Sequence, residues 1–355
     1  MTSWWDVEDF RTQVQSVLDA FVAEHGATLA PLGPDAALFM DAARRSVSGG
    51  KRYRAAFCWW GYRAVRADVP DAEALVRAGA ALELLHASAL VHDDLMDASD
   101  TRRGRPAEHK AFESLHRSHG WRGSAEQYGA ASAILLGDVL LTWSDELLRR
   151  CGLPADVVRP AQQFFETTHT EVITGQFLDV SVQARGRCDV EEAMRVLRYK
   201  SAKYSVERPL HVGAALAGAG PEMLTALSAY GVPVGEAFQL RDDLLGVFGD
   251  PDVTGKPAGD DLTEGKRTVL VALALENAPA ADGKRLDEAL GTPLDVAEVE
   301  EIRRIIDESG ARAEVEGRID ALTRSALAAL GEAPVTAVAR PVLAELAEEA
   351  GHRAI

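Results

Sequence analysis

Apolar residues recur at the 3.6-residue period of an α-helix along almost the whole chain, and no stretch sustains the two-residue alternation of a strand. Val14, Leu18, Phe21 and Val22 form the stripe of an amphipathic start over residues 7–25. Pro31, Gly33 and Pro34 then break the chain, and helices are predicted at 35–47, ended by Ser48-Gly49-Gly50, and at about 52–67. Pro70-Asp71 opens a long helix to about residue 97, with Leu75, Ala78, Leu82, Leu85 and Ala89 on its buried face. Further helical stretches are predicted at roughly 125–151, 156–183, 190–217 and 222–248, and Ala/Leu/Glu/Arg-rich helices from 264 to 350. Residues 249–263, rich in Gly, Pro and Asp, read as a functional loop. Apolar residues make up 47% of the chain, enough for a sizeable core, and the low aromatic share favours helix over sheet. With no repeat or clear linker, one all-α domain over residues 1–355 is the economical expectation.

The formal charge is 38 − 55 = −17, which argues against a general nucleic-acid or anionic-membrane surface. An anionic substrate must therefore meet local positive charge, from metal ions or a few placed Lys and Arg residues. Most of the acidic residues read as a solvated surface. Cys58, Cys151 and Cys188 share no metal-ligand spacing and cannot all pair, which suits a reducing compartment. Met1-Thr2-Ser3-Trp4-Trp5-Asp6 has neither the basic region nor the apolar core of a signal peptide, and Trp4 and Trp5 are expected to pack on the core. No apolar run approaches the ~20 residues of a membrane span. The expectation is a cytoplasmic protein with no membrane span and no nucleic-acid partner.

Two aspartate clusters interrupt this helical sequence: Asp93-Asp94-Leu95-Met96-Asp97, followed by Arg102-Arg103-Gly104, and Asp242-Asp243-Leu244-Leu245-Gly246. On a helix Asp93 and Asp97 share a face one turn apart, where they repel each other at an end whose macrodipole disfavours negative charge. Hard cations relieve both penalties, and Mg²⁺ takes one or two carboxylates and completes its shell with water and phosphate oxygens. A solvated acidic helix end is the plain alternative. The arginines tip the balance: they follow across a turn that Gly104 and Pro106 keep from resuming the helix, and guanidinium suits bidentate phosphate recognition. His86 lies two turns before Asp93 on nearly the same face, and reads equally as a core histidine or as part of the site. Asp242 is expected to end a long apolar helix as Asp93 does.

Gly49-Gly50-Lys51-Arg52-Tyr53-Arg54 places cations just after paired glycines, which let backbone N–H groups approach an anion, and the helix that follows adds its dipole. It is not a Walker loop, and a basic surface turn is the competing reading. After the second acid cluster come Thr254-Gly255-Lys256-Pro257-Ala258-Gly259-Asp260-Asp261 and Gly265-Lys266-Arg267-Thr268, where lysines again neighbour acids. Tyr199-Lys200-Ser201-Ala202-Lys203-Tyr204 puts lysines and hydroxyls in a helical stretch, and Gln176 and Asp179 point to one side a turn apart. A surface helix explains each of these last two as readily.

Taken together, these motifs resemble those of the trans-isoprenyl diphosphate synthases, the head-to-tail polyprenyl synthases. The resemblance spans about residues 45–270: GGKRYR at 49–54, DDLMD at 93–97 with RRGRP at 102–106, GQFLD at 175–179, YKSA at 199–202, and FQLRDDLLGVFGD at 238–250 running on into TGKPAGDDLTEGKRT. It implies a bundle of about ten core helices around a deep central cavity, as a homodimer, with three Mg²⁺ ions for which Mn²⁺ can substitute. The implied substrates are isopentenyl diphosphate and an allylic diphosphate (dimethylallyl, geranyl or farnesyl). By family role Asp93 and Asp97 would bind metal from one wall and Asp242 from the other, with Asp94, Asp179 and Asp243 supporting. Arg102, Lys200 and Lys256 would hold the allylic diphosphate, assisted by Gln239 and Lys266. Lys51, Arg54, His86 and Arg103 match the isopentenyl diphosphate site. Ser201 stands where the family often has threonine near the developing cation, and Gln176 belongs to an additional polar wall.

One departure stands out: many relatives carry a third aspartate where this chain has Gly246. A second reading concerns product length. Ser88 and Ala89, five and four residues before Asp93, are small where farnesyl-producing relatives often carry aromatics, so a growing tail would pass them and meet Leu85 and Leu82. That predicts a product longer than farnesyl, geranylgeranyl diphosphate in the first instance. Two alternatives remain: a terpene cyclase or coupling enzyme on the same fold, and a non-catalytic partner subunit of another synthase.

Overall fold

The computed structural model describes residues 9–249 and 259–351. Trp4, Trp5 and the stretch holding Thr254, Gly255 and Lys256 lie outside the described residues. Helices account for nearly all of the described chain, and local chemistry fixes their ends. Helix α1 (Phe10–Leu29) runs into a single 3₁₀ turn at Ala30–Leu32, and α2 (Pro34–Val47) starts with proline at its first position. After α3 (Tyr53–Val65), the Asp71 carboxylate caps the Ala74 N–H and opens α4 (Ala72–Met96). A two-residue hairpin follows, with Thr101–Arg102 (β1) against Arg105–Pro106 (β2). Arg103 (φ 53°) and Gly104 (φ 70°) at its tip are both left-handed, the backbone that a tight hairpin turn requires.

The remaining helices are α5 (Glu108–Ser118), α6 (Ala125–Arg149), α7 (Ala155–Arg185), α8 (Val190–Leu197), α9 (Arg208–Leu216) and α10 (Pro221–Phe248). They continue with α11 (Asp260–Thr263), α12 (Val269–Asn277), α13 (Ala280–Ala289), α14 (Val296–Glu308), α15 (Ala311–Glu332) and α16 (Ala339–Gly351). Between α8 and α9, residues Arg198–Glu207 wind as a π-helix. The sequence reading of an unbroken helix at 190–217 is corrected by that wider segment, and α5 was not foreseen at all. Asp242 does not end its helix either: Leu244 and Val247 are fully buried and carry the apolar face of α10 on to Phe248.

The described residues divide into two compact units. The first comprises residues up to Thr167, with Arg208–Leu224 and Val335–Val342. Its centre is α4, which packs on α1, α3 and α6, while α3 packs on α9 and α5 on α6. A Cβ at Gly213 would fall on the Cys58 carbonyl, so only glycine lets α9 approach α3 this closely. Helix α4 is also the one described helix long and apolar enough to cross a membrane, at a mean hydropathy of 1.4, but 78% of that window is buried inside the protein. A helix apolar all round belongs in a core. The second unit takes Thr168–Glu207, Thr225–Pro334 and the residues from Leu343. Its core joins Leu240 and Leu244 of α10 to Leu262, to α12 from Val269 to Ala274, and to Ile302, Ile306, Val315 and Ile319.

Candidate active site

In the first unit the acids sit where sequence placed them. Asp93 and Asp94 lie in the last turn of α4, and Asp97 is its C-cap, its N–H bonded to the Asp93 carbonyl at 2.8 Å. Asp94 is buried and turned away to Arg102, whose Nε donates to its Oδ1 at 2.8 Å and whose Nη2 closes the fork. The same Nη2 comes within 4.0 Å of Asp93 Oδ2. Arg102 and Asp94 thus form one fixed pair, and Asp93 and Asp97 are the carboxylates one turn apart beside it.

The cations of the glycine loop separate into two kinds. Lys51 is exposed and Arg54 half-buried, whereas Arg52 is 5% exposed. Arg52 adopts a left-handed backbone (φ 58°), which costs a non-glycine residue about 1 kcal/mol or more. Its guanidinium is held by Glu83 Oε2 at 3.2 Å and by Gln15 Oε1 and the Val47 carbonyl, both at 2.5 Å. Arg103, on the hairpin tip, reaches back to the Ser48 carbonyl at 3.0 Å and lies against Gly50, where a Cβ would stand 2.9 Å from its Nη2. His86 belongs to this group. Loss of solvent, then the charges of Arg54, Arg103, Arg102 and Arg52, hold its imidazole well below its ordinary pKa, so it is neutral at neutral pH. Arg54, His86 and Arg103 therefore come together in one unit, two turns of α4 from Asp93.

Of the chain-length positions, Ser88 is buried and its hydroxyl donates to the Gly137 carbonyl of α6 at 2.7 Å, so it faces that helix. Ala89 is half-buried, on the face shared by His86 and Asp93, and Leu85 and Leu82 beyond it are buried.

In the second unit, Lys200 and Ser201 lie on the π-helix, both half-buried. Lys200 Nζ donates to Asp179 Oδ2 at 2.6 Å, joining the YKSA and GQFLD motifs directly. A Cβ at Gly175 would strike the Lys200 backbone nitrogen, so glycine sets the distance between α7 and this segment. Gln176 is half-buried on α7. On α10 Asp242 is exposed and Asp243 buried, with Gln239 Nε2 donating to Asp243 Oδ1 at 2.8 Å. Burial pushes the Asp243 carboxyl up to about 8. The Gln239 hydrogen bond and the Lys266 charge oppose that rise, while Asp261 and Asp242 add to it. Lys266 is shared between Asp261 at 3.3 Å and Glu264 at 2.5 Å.

Gly246 explains itself here. A Cβ at this position would fall inside the Asp261 carboxylate. The space that a third aspartate on α10 would take is filled by an acid from the start of α11. Sequence reasoning had Asp260-Asp261 in view beside lysines of a shared metal and phosphate site but gave Asp261 no role of its own; it counted Arg52 among the cations of the loop, and it passed over Glu83 and Gln15. The doubled acid was a signal for Asp261; nothing in the sequence marked Gln15.

The donor set suits hard divalent cations. All the acidic candidates offer carboxylate oxygen, and among the described residues Asp243 and Asp261 both lie within the influence of Lys266. Among the described residues no three His, Cys, Asp or Glu side chains form a closed metal cage. Mg²⁺ needs none, because it draws on few carboxylates and on the oxygens of water and phosphate.

Sequence and fold are both similar to those of known proteins. Residues 36–308 match the family model described as polyprenyl synthetase. The short chain isoprenyl diphosphate synthase of Methanothermobacter thermautotrophicus is 35% identical over 69% of this chain and 69% of its own. The geranylfarnesyl diphosphate synthase of Aeropyrum pernix is 32% identical over 76% of this chain and 80% of its own. A crystal structure of the geranylgeranyl pyrophosphate synthase of Corynebacterium glutamicum, complexed with isoprenyl diphosphate and magnesium, superimposes with a TM-score of 0.95 at 39% identity, covering 98% of this chain and 100% of that one. Other relatives are named geranylgeranyl and farnesyl diphosphate synthases, so the names span several product lengths. The chain belongs to the polyprenyl synthetase family of trans-prenyltransferases.

Proposed function

We propose that this protein condenses an allylic diphosphate with isopentenyl diphosphate, head to tail and with Mg²⁺, to an all-trans prenyl diphosphate and diphosphate. The observation that carries the reading is the grouping of Arg54, His86 and Arg103 two turns of α4 before Asp93. A cyclase needs the acids but can discard a site for isopentenyl diphosphate, and a non-catalytic subunit could discard either. Here both are kept.

Bound magnesium would supply positive charge as the diphosphate leaves. Asp93, Asp97 and Asp242 are the residues assigned to hold it, with Asp94, Asp179 and Asp243 behind them. Arg102, fixed by Asp94, and Lys200, fixed by Asp179, present cations in set positions for the allylic diphosphate. Gln239, Lys256 and Lys266 assist, with Gln176 on the polar wall. Lys51, Arg54 and Arg103 hold isopentenyl diphosphate, and neutral His86 offers a hydrogen bond there without adding charge. Ser201 borders the carbon that becomes positive. The double bond of isopentenyl diphosphate attacks that carbon, and the departed diphosphate is the base that takes the proton.

The product assigned is geranylgeranyl diphosphate. Ala89 leaves room for the tail, while buried Leu85 and Leu82 support a floor one to two turns deeper, at about 5.4 Å per turn. Replacing Ala89 with Phe shortens the main product; unchanged product lengths by chromatography would move the floor elsewhere. A homodimer is also assigned, supported by Ile134 and Leu135, 47% and 59% exposed side by side on α6. Sedimentation of the pure protein checks it, and cell fractionation checks the cytoplasmic location.

The decisive experiment incubates the protein with Mg²⁺, radiolabelled isopentenyl diphosphate and each short allylic diphosphate in turn, followed by chain-length analysis. Label in a C20 diphosphate is expected. Cyclised hydrocarbon made without isopentenyl diphosphate would establish the cyclase instead. No turnover alone, with altered products beside a second synthase, would establish the partner subunit.

A further inference from the structure

The loop between α2 and α3 is held from beneath by residues that the assigned chemistry does not use. Gln15 on α1 is turned in one sense only. Its Nε2 donates to Asp19 Oδ1 at 2.8 Å, so its Oε1 faces the loop and accepts both the Gly49 N–H at 3.1 Å and the Arg52 guanidinium. Arg52 also binds Glu83, and the other oxygen of Glu83 accepts the Ala55 N–H in the first turn of α3 at 3.2 Å. Gly49, Gly50 and Arg52 all have positive φ, at 70°, 97° and 58°. The glycines take such a backbone freely, but at Arg52 it persists only where the surroundings hold it. Glu83 and Arg52 are 4% and 5% exposed, and every polar end of Arg52 that points to Glu83, Gln15 and Val47 is committed inside the protein.

We propose that Gln15, Arg52 and Glu83 are the positioning residues of the isopentenyl diphosphate site, and that α1 sets the affinity of that site through Gln15. In this arrangement Arg52 is an anchor and touches no substrate. By holding its own backbone left-handed it presents Lys51 on one side and Arg54 on the other. Glu83 lies one turn before His86 on α4 and ties the start of α3 to that helix, so Arg54 and His86 keep a fixed separation. Glu83 also places one buried negative charge under a group of arginines that would otherwise repel one another. The inference rests on the function proposed above and goes beyond it in naming which residues hold the acceptor site in shape.

The test compares Gln15→Leu with the unaltered full-length protein in steady-state kinetics with Mg²⁺, varying isopentenyl diphosphate and the allylic diphosphate separately. Leucine keeps the bulk at this half-buried position and removes the acceptor. The expected result is a KM for isopentenyl diphosphate raised about tenfold, with kcat and the allylic KM within about twofold. Glu83→Gln, which leaves Arg52 buried without its counter-charge, should raise the same KM further if it folds; should it not fold, Gln15→Leu alone decides. Calorimetric titration of isopentenyl diphosphate without allylic substrate should show the same weakening. A uniform fall in kcat with unchanged KM values, or a lowered melting temperature with no kinetic effect, overturns the inference and leaves the function standing. If the unaltered protein does not saturate with isopentenyl diphosphate, the proposed function fails, a different and separately visible outcome.

Discussion

At Gly246 two ways of supplying a third carboxylate exclude one another. A Cβ at position 246 would overlap the Asp261 carboxylate from the start of α11, so an aspartate on α10 would have to displace that side chain. Gly246→Asp is therefore predicted to expel Asp261 and to cut kcat/KM roughly tenfold or more, even though it restores the commoner motif. Joining it with Asp261→Gly should bring activity back to within about threefold of the unaltered protein, a coupling that only two residues in contact can show. Additive losses would mean that the two positions do not compete. His86 allows a second test at this scale. Burial and four neighbouring arginines keep its ring neutral, so a neutral amide can take its place. His86→Gln should cost less than about fivefold in KM for isopentenyl diphosphate, one hydrogen bond or less, whereas His86→Lys adds a fifth cation to the group and should cost more.

Among the elements, the π-helix at Arg198–Glu207 has the most direct consequence for chemistry. The wider turn sets Lys200 toward Asp179 and brings the backbone against α7, where Gly175 makes the room. Such segments often mark functional sites because they re-aim side chains within an otherwise regular helix. Gly175→Ala is predicted to displace the segment, lower stability by about 1–3 kcal/mol and weaken the allylic diphosphate more than isopentenyl diphosphate. Equal effects on both KM values would argue that Lys200 does not depend on this contact. The same segment shows where sequence reading stops. Helices α1, α2 and α6 were legible because their apolar faces repeat at helical spacing and Pro, Gly or Asp marks their ends, and α4 because a long apolar stretch follows Pro70-Asp71. A change of hydrogen-bond register over ten residues leaves no such trace in the sequence. Helix α5 was missed because Phe112 is its only large apolar buried residue, the rest of its inner face being His109 and His116. Ordered motifs marked Asp93, Arg102, Lys200 and Asp242. Only tertiary structure separates Arg52, turned inward, from Arg54, or moves an acid from position 246 to position 261.

Over the whole molecule, 55 acidic against 38 basic side chains leave a net charge of −17, and part of that excess is concentrated in the two aspartate clusters. Like charges held together in the native state destabilise it, and whatever binds the native state alone offsets this by mass action. Mg²⁺ with inorganic diphosphate should therefore raise the melting temperature more than either alone, since the anion brings oxygens that complete the cation's shell. At a hundredfold excess over the dissociation constant the gain is about 2.7 kcal/mol, or about 3–4 °C for a chain of this size. Asp93→Asn removes one carboxylate from the first cluster without changing its bulk. It should relieve repulsion in the empty protein, leaving its melting temperature unchanged or slightly higher, and should abolish most of the shift produced by Mg²⁺ and diphosphate together. A full shift in that variant would mean that the pair binds elsewhere, and that the first cluster is the solvated helix end its sequence also allowed.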